Sequence, residues 1–253
     1  MHARVLAIAN RKGGTGKTTI AVNLAAELGT RGYRVLVVDL DPQGHAGLGF
    51  DVFSADEADS IHAVFRKSRV NLSPSIRATG QPGVDVIAAA RNFDGQIGGG
   101  DPRCLAKAFD QIRSDYHVVL LDSPPAAANV MVCALLAAEG VVVPTALDYL
   151  SLDGVQQFVR SYYHVVRKMG ATLLGLAIAP MKIDLRTRMQ KEVLVRLLNG
   201  VGSQQVMRGV FTDVAVAEAF SYRMPLLRHR PQARAVQDFR ILADDAERRF
   251  NLN

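Results

Sequence analysis

The residues from Ile8 to Ile20 read Ile-Ala-Asn-Arg-Lys-Gly-Gly-Thr-Gly-Lys-Thr-Thr-Ile and bring three glycines and two lysines together. Glycine at 13, 14 and 16 lets the backbone take positive φ and turn N–H groups inward, a concave nest that attracts anions. Lys17 would put a mobile ammonium on the β- and γ-phosphates of a nucleotide, and the hydroxyl of Thr18 would ligate magnesium. Gly13, Gly14, Thr15, Gly16, Lys17, Thr18 and Thr19 are therefore candidate nucleotide contacts. The strict P-loop pattern asks for a glycine five residues before Gly16, where this chain has Arg11. The glycine pair has moved closer to Lys17, and a second lysine, Lys12, precedes it. Two acidic segments could complete the site. In Asp39-Leu40-Asp41-Pro42-Gln43-Gly44 the period of a strand puts Asp39 and Asp41 on one side. One could hold a metal's water shell while the other orients an attacking water. Alone, these residues would read as an Asx turn before Pro42. Val118-Val119-Leu120-Leu121-Asp122 reads as a Walker B strand, with Asp122 holding magnesium through water.

Such chemistry needs elements that bring distant segments to one point. Val5 to Ala9 is an apolar run, and Ile20, Ala21, Leu24, Ala25 and Leu28 recur at helical spacing, so the glycine loop joins a strand to a helix. Arg34 to Leu40 and Val118 to Leu121 are continuous apolar runs of the kind buried on both faces of a parallel sheet. Their acidic residues fall at carboxyl ends, where open α/β sheets bind ligands. The spacing also predicts a helix over 57–67, a strand over Val84–Ala88, and a glycine-rich connection over Gln96–Gly100. Asp101 as N-cap and Pro102 as first helical residue predict a helix to about Arg113. A small-residue helix over Ala126–Glu139 follows, then a strand at Val141–Pro144, a helix over Leu152–Met169, a strand over Thr172–Ala179 and a final helix over Gln232–Asn253. This alternation predicts an α/β fold: a single doubly wound, mostly parallel sheet with helices on both faces, of P-loop NTPase type, as one domain over 1–253.

The chain has 253 residues and a net charge of +6. Lys plus Arg exceeds Asp plus Glu by one up to Met181 and by five from Lys182 onward, so the basic character sits in the last third. That pattern suits a polyanionic partner, with Arg186, Arg188, Arg208, Arg223, Arg228 and Arg230 as candidate DNA contacts. Cys104 and Cys133 have no metal or redox spacing and read as small buried residues in a reducing compartment. No apolar stretch has signal-peptide or membrane-spanning length, and the final helix carries acidic as well as basic residues on its polar face. The expectation is a cytoplasmic protein without a membrane partner.

Lys12 to Thr18 matches the pattern Lys-Gly-Gly-x-Gly-Lys-Thr and resembles the deviant P-loop of the ParA/MinD family of ATPases. Asp39 to Gly44 and Ser123-Pro124-Pro125 after Asp122 resemble its second motif and its switch segment, and the likeness runs in order through nearly the whole chain. The resemblance implies an ATPase using ATP and Mg2+, with slow intrinsic hydrolysis. It assigns Asp41 to hydrolysis, places Met181 to Thr187 near the adenine, and has Lys12 reach across a nucleotide-sandwich homodimer as an arginine finger does in trans. It further implies nonspecific DNA (nucleoid) binding by the ATP-bound dimer. A ParB-like or cargo-adaptor protein would stimulate hydrolysis and so position a plasmid, a chromosome or a protein organelle. The last third departs from the family. DNA-binding relatives carry arginines three and six residues before the glutamate matched by Glu218, where this chain has Ala215 and Thr212. Two alternatives share the motifs: a MinD-like membrane-cycling or regulatory ATPase without DNA binding, and an iron–sulfur ATPase of the nitrogenase-reductase type, although both cysteines lie within expected helices.

Overall fold

The computed structural model describes residues 3–67, 70–98, 100–125, 128–170 and 174–252. Apolar runs become strands and the segments between them helices: β1 (Arg4–Ile8), α1 (Lys17–Thr30), β2 (Val35–Asp39), α2 (His45–Leu48), α3 (Ala63–Arg66), β3 (Ile76–Ala78), β4 (Val84–Ile87), α4 (Cys104–Phe109) and β5 (Val118–Asp122). There follow α5 (Ala128–Ala137), β6 (Gly140–Ala146), α6 (Tyr149–Met169), β7 (Gly175–Ile183), α7 (Arg188–Val201), β8 (Val210–Phe211), α8 (Val214–Ser221), α9 (Leu226–His229) and α10 (Arg234–Phe250).

The strands form one eight-stranded sheet in the order β3-β4-β2-β5-β1-β6-β7-β8, parallel throughout except for β3, which runs antiparallel to β4 at one edge. Strand alternation sends Val5 and Ala7 to one face and Leu6 and Ile8 to the other. The first face is covered by residues of α3, α4, α5, α6 and α7, including Phe65, Phe109 and Phe158. The second is covered by α1 together with the carboxyl-terminal helices, through Leu24, Leu28, Phe239, Leu242 and Phe250. Gly140 is needed in β6 because a Cβ there would run into the Phe250 ring. Arg31 at the end of α1 donates to Asp244 at 2.7 Å and to the Arg240 carbonyl at 2.9 Å, fixing α10 alongside.

The doubly wound, mostly parallel arrangement read from the sequence is the one observed. Several boundaries differ. Only Ala63–Arg66 is helical within 57–67. Asp56 accepts from the Asp59 N–H, Ser60 donates to the Glu57 carbonyl and also accepts from the His62 N–H, so side chains supply the turns a longer helix would have made. The helix expected from Asp101 begins at Cys104, because the Asp101 carboxylate holds the Arg103 N–H in a turn first, and it ends at Phe109. Short β3 and β8 were not anticipated. Gly99 of the glycine-rich connection, Ala126 and Ala127 of the small-residue helix, Thr172 and Leu173 of the strand expected over Thr172–Ala179 and Asn253 of the last helix lie outside the described residues. No helix among the described residues is long and apolar enough to cross a membrane. α10 turns its apolar stripe onto α1 and the sheet.

Register aligns the chemistry. Asp122 stands opposite Ile8 on one side and opposite Asp39 on the other, so the carboxyl ends of β1, β5 and β2 are level where the glycine loop leaves the sheet.

Candidate active site

The glycine loop leaves β1 and enters α1 with left-handed backbone at Gly14 (φ +71°) and Gly16 (φ +100°); Gly13 keeps negative φ, contrary to expectation. A Cβ on Gly13 or Gly14 would meet open space, so the role of Gly13 is to leave the backbone approachable. Gly16 caps α1 without a side-chain hydrogen bond, and the first N–H groups of any helix lack partners within it. The result is an uncapped, positively polarised helix start, suited to a phosphate. Thr15 is buried and donates to the Lys12 carbonyl at 3.4 Å. Lys17 is buried and donates to the same carbonyl at 3.2 Å, so its ammonium lies within the curl of the loop. Burial lowers its pKa, against the charges of Asp122 and Asp41.

Opposite the loop sit two fully buried carboxylates. Asp122 Oδ2 accepts from the Thr18 hydroxyl at 2.7 Å, while its Oδ1 is buried with no partner. Burial pushes its pKa up to about 7, against the Thr18 hydrogen bond and the Lys17 charge. Asp39 is held well above the usual carboxylate range by burial and by the neighbouring Asp122 charge. Its oxygens accept the N–H groups of Asp41 at 3.2 Å and Gly47 at 2.9 Å. Two carboxylates whose pKa values burial raises, one with an orphaned oxygen beside a threonine hydroxyl, form a donor set that a hard divalent cation would relieve. Among the described residues no three acidic, histidine or cysteine side chains converge as a metal cage. The fit is therefore to magnesium, which takes one or two carboxylates and fills its sphere with water and phosphate. Asp41 is half-buried, and its Oδ1 accepts the Gln43 N–H at 3.0 Å, so the Asx turn is present as well.

Lys12 is turned out of the loop. Its ammonium donates to Ser151 Oγ at 2.8 Å and to Asp148 Oδ1 at 3.3 Å, at the start of α6, with 42% of the side chain exposed. Asp148 is also the N-cap of that helix, accepting the Ser151 N–H. Met181 is buried against Gly16, its Cε 3.1 Å from where a Cβ would stand, so it supports the loop. Sequence reasoning passed over Asn10, which accepts the Lys12 N–H at 3.1 Å and donates to the Pro144 carbonyl at 2.7 Å, tying the loop to β6. A polar residue ending a buried apolar strand was the available signal.

Of the six candidate DNA-binding arginines, four are paired: Arg186 with Asp184, Arg188 with Glu192, Arg223 with Asp51 and Arg230 with Glu218. Arg208 and Arg228 expose their side chains. Cys104 on α4 is half-buried and Cys133 on α5 is buried, which is not the outward setting of a cluster shared between protomers.

Comparison with known proteins agrees with this geometry. A family model described as an AAA domain matches residues 3–174. The chromosome-partitioning ATPase Soj of Thermus thermophilus is 34% identical over 96% of this chain and 94% of its own length. The chromosome partitioning protein ParA of Caulobacter vibrioides is 31% identical over 95% and 92%. Among solved structures, cobyrinic acid a,c-diamide synthase from Mycobacterium smegmatis, with bound ATP analogue and magnesium, superposes with a TM-score of 0.80 at 26% identity, covering 96% of this chain and 93% of that one. Apo McdA of Cyanothece superposes with a TM-score of 0.83, covering 96% and 99%; at 16% identity it shows the fold alone.

Proposed function

The chain belongs to the family of the partition ATPases Soj and ParA, and from that premise we propose that it is a nucleotide-timed positioning ATPase that works as a pair. Mg-ATP binds the glycine loop, two copies close face to face over the nucleotides, the pair engages DNA without sequence preference, and an adaptor on a cargo accelerates hydrolysis and releases it. Within one copy, the N–H groups of Gly13 to Thr19 and the Lys17 ammonium receive the phosphates. Thr18 and Asp122, with Asp39 behind them, would hold magnesium, which would neutralise phosphate charge. Asp41, at the mouth of the same site, orients the attacking water.

The observation that carries the paired reading is the placement of Lys12. A lysine serving its own phosphates would lie in the loop beside Lys17; this one stands outside it, on a face formed by α6. From there it is available to a second copy, and Asp148 with Ser151 holds it meanwhile. The DNA part is supported by the basic last third, although paired arginines contribute little field at a distance. Arg208 and Arg228 are the members of the set expected to matter most. The burial of the α10 stripe supports no membrane-surface role.

Lys12→Ala and Asp41→Ala separate the roles. Lys12→Ala is expected to bind ATP but to lose ATP-dependent dimerisation in light scattering and retention on DNA. Asp41→Ala is expected to dimerise and bind DNA yet lose hydrolysis, by about 100-fold or more. Normal dimerisation and hydrolysis by Lys12→Ala would sink the trans role. Normal hydrolysis by Asp41→Ala would remove its role in orienting water.

A further inference from the structure

The end of β7 carries an irregularity that phosphate binding by the glycine loop does not explain. β7 pairs with β8 through Met181 opposite Val210 and Ile183 opposite Phe211, so two steps along β7 match one step along β8. The residue squeezed out is Lys182. Its φ is +55°, the left-handed region that residues with a Cβ occupy at a cost and glycine occupies freely. Strain of this kind persists where the surroundings over-determine it, and bulges of this kind re-aim a side chain beside an active site. The Lys182 ammonium points at the glycine loop and donates to the Gly14 carbonyl at 3.3 Å. The preceding residue, Met181, packs on Gly16. Two successive side chains of one strand thus meet the two left-handed glycines of the loop. Beyond the bulge, Ile183 and Asp184 begin a cavity of about 550 Å³ that Phe211 and Thr212 close, a size that suits a nucleoside.

We propose that Lys182 is a positioning residue for the nucleotide, a latch that ties the bulged end of β7 to the glycine loop; the proposal rests on the nucleotide-site reading above. A peptide group is planar and trans, so its carbonyl and N–H point in opposite directions. Holding the Gly14 carbonyl toward Lys182 therefore fixes the Thr15 N–H on the far side of the same plane. That N–H is one of the donors the nest offers to phosphate. The bulge extends this control, because the strand that carries the latch also carries the wall of the nucleoside cavity. Phosphate donors and cavity are thereby held in one spacing. The latch acts on binding of ADP and ATP alike, and makes no contribution to the hydrolytic step.

The test is fluorescence titration of the full chain with N-methylanthraniloyl-ADP and -ATP in magnesium, together with KM and kcat, for Lys182→Ala, Lys182→Gly and Lys182→Arg. Ala and Gly are expected to weaken both nucleotides by about tenfold, the loss of one charge-assisted hydrogen bond, with kcat at saturation within about twofold. Arg is expected to restore affinity to within about threefold of the parent, since it returns a cationic donor. Lys182→Gly relieves the backbone strain, so its thermal midpoint is expected at or above that of the parent while its affinity stays low. Unchanged affinity in Lys182→Ala overturns the latch. So does recovery of affinity in Lys182→Gly, which would make the strained backbone, and not the ammonium, the determinant. A parent protein that binds neither nucleotide overturns the nucleotide-site reading itself, and the latch with it.

Discussion

Asp122 shows how one residue can be costly to the fold and necessary to the site. Its carboxylate is fully buried, and one oxygen has no partner. A buried charge is tolerated when a counter-charge satisfies it and is a liability otherwise. Asp122→Asn keeps the shape and an oxygen to accept the Thr18 hydroxyl but removes the charge. It is expected to be more stable than the parent in the absence of metal, by about 1–3 kcal/mol in urea denaturation. It should also lose most of the difference between nucleotide affinity measured with magnesium and with EDTA. An Asn variant that is less stable, or that keeps the full magnesium dependence, would remove Asp122 from the metal site.

Between elements, the position of Asp41 depends on how the end of β2 is anchored. The Leu40 carbonyl, between Asp39 and Asp41, accepts from His62 Nε2 at 3.2 Å, while His62 Nδ1 accepts the Ala90 N–H at 3.1 Å just past β4. That pair of bonds requires the neutral ring with its proton on Nε2. The ring stacks on Phe93 at 4.0 Å, and burial lowers its pKa, against the charges of Glu57 and Asp41. Because the folded pKa lies below the unfolded value of about 6.5, stability from this ring is full above about pH 6.5. It is lost as pH falls toward and through the folded pKa. The urea midpoint is expected to drop between about pH 7.5 and about pH 5.5, with a smaller drop in His62→Asn, which does not titrate. An equal drop in both would assign the acid sensitivity elsewhere. His62 also marks the limit of what the sequence made legible. The phosphate loop, the acidic strand ends and the sheet were readable because motif and periodicity are local. His62 and Asn10 act on backbone carbonyls, which leave no residue type to recognise, and Lys12 finds Asp148 only after β6 and α6 have been folded beside the loop. The 57–67 segment was misread because the short polar side chains that drive its turns count as mere polar positions in a helical pattern. β8 is too short for any period to show.

For the whole molecule, charge is the property that scales. The net charge of +6 is concentrated in the last third of the sequence, but ion pairs occupy four of the six arginines singled out there. A DNA contact built from the remainder should be shallow and strongly salt-dependent. If roughly four phosphates are engaged, affinity in the presence of ATP is expected to fall about a hundredfold between roughly 50 and 200 mM salt, read by co-sedimentation. Arg208→Ala and Arg228→Ala should each flatten that slope, whereas Arg186→Ala should leave it near the parent value. No ATP-dependent sedimentation with DNA even at low salt would end the DNA-riding reading.

The backing of α1 by α10 also has a consequence in time. The helix that carries Lys17 and Thr18 buries Leu24 and Leu28 in a layer completed by Phe239, Leu242 and Phe250. Chains leave the ribosome amino end first. The nucleotide-gripping helix is therefore made well before Phe239, Leu242 and Phe250, and during synthesis its apolar side waits for them. A nascent chain therefore leaves that surface uncovered until Phe250 arrives, and the phosphate-gripping helix gains its full backing only then.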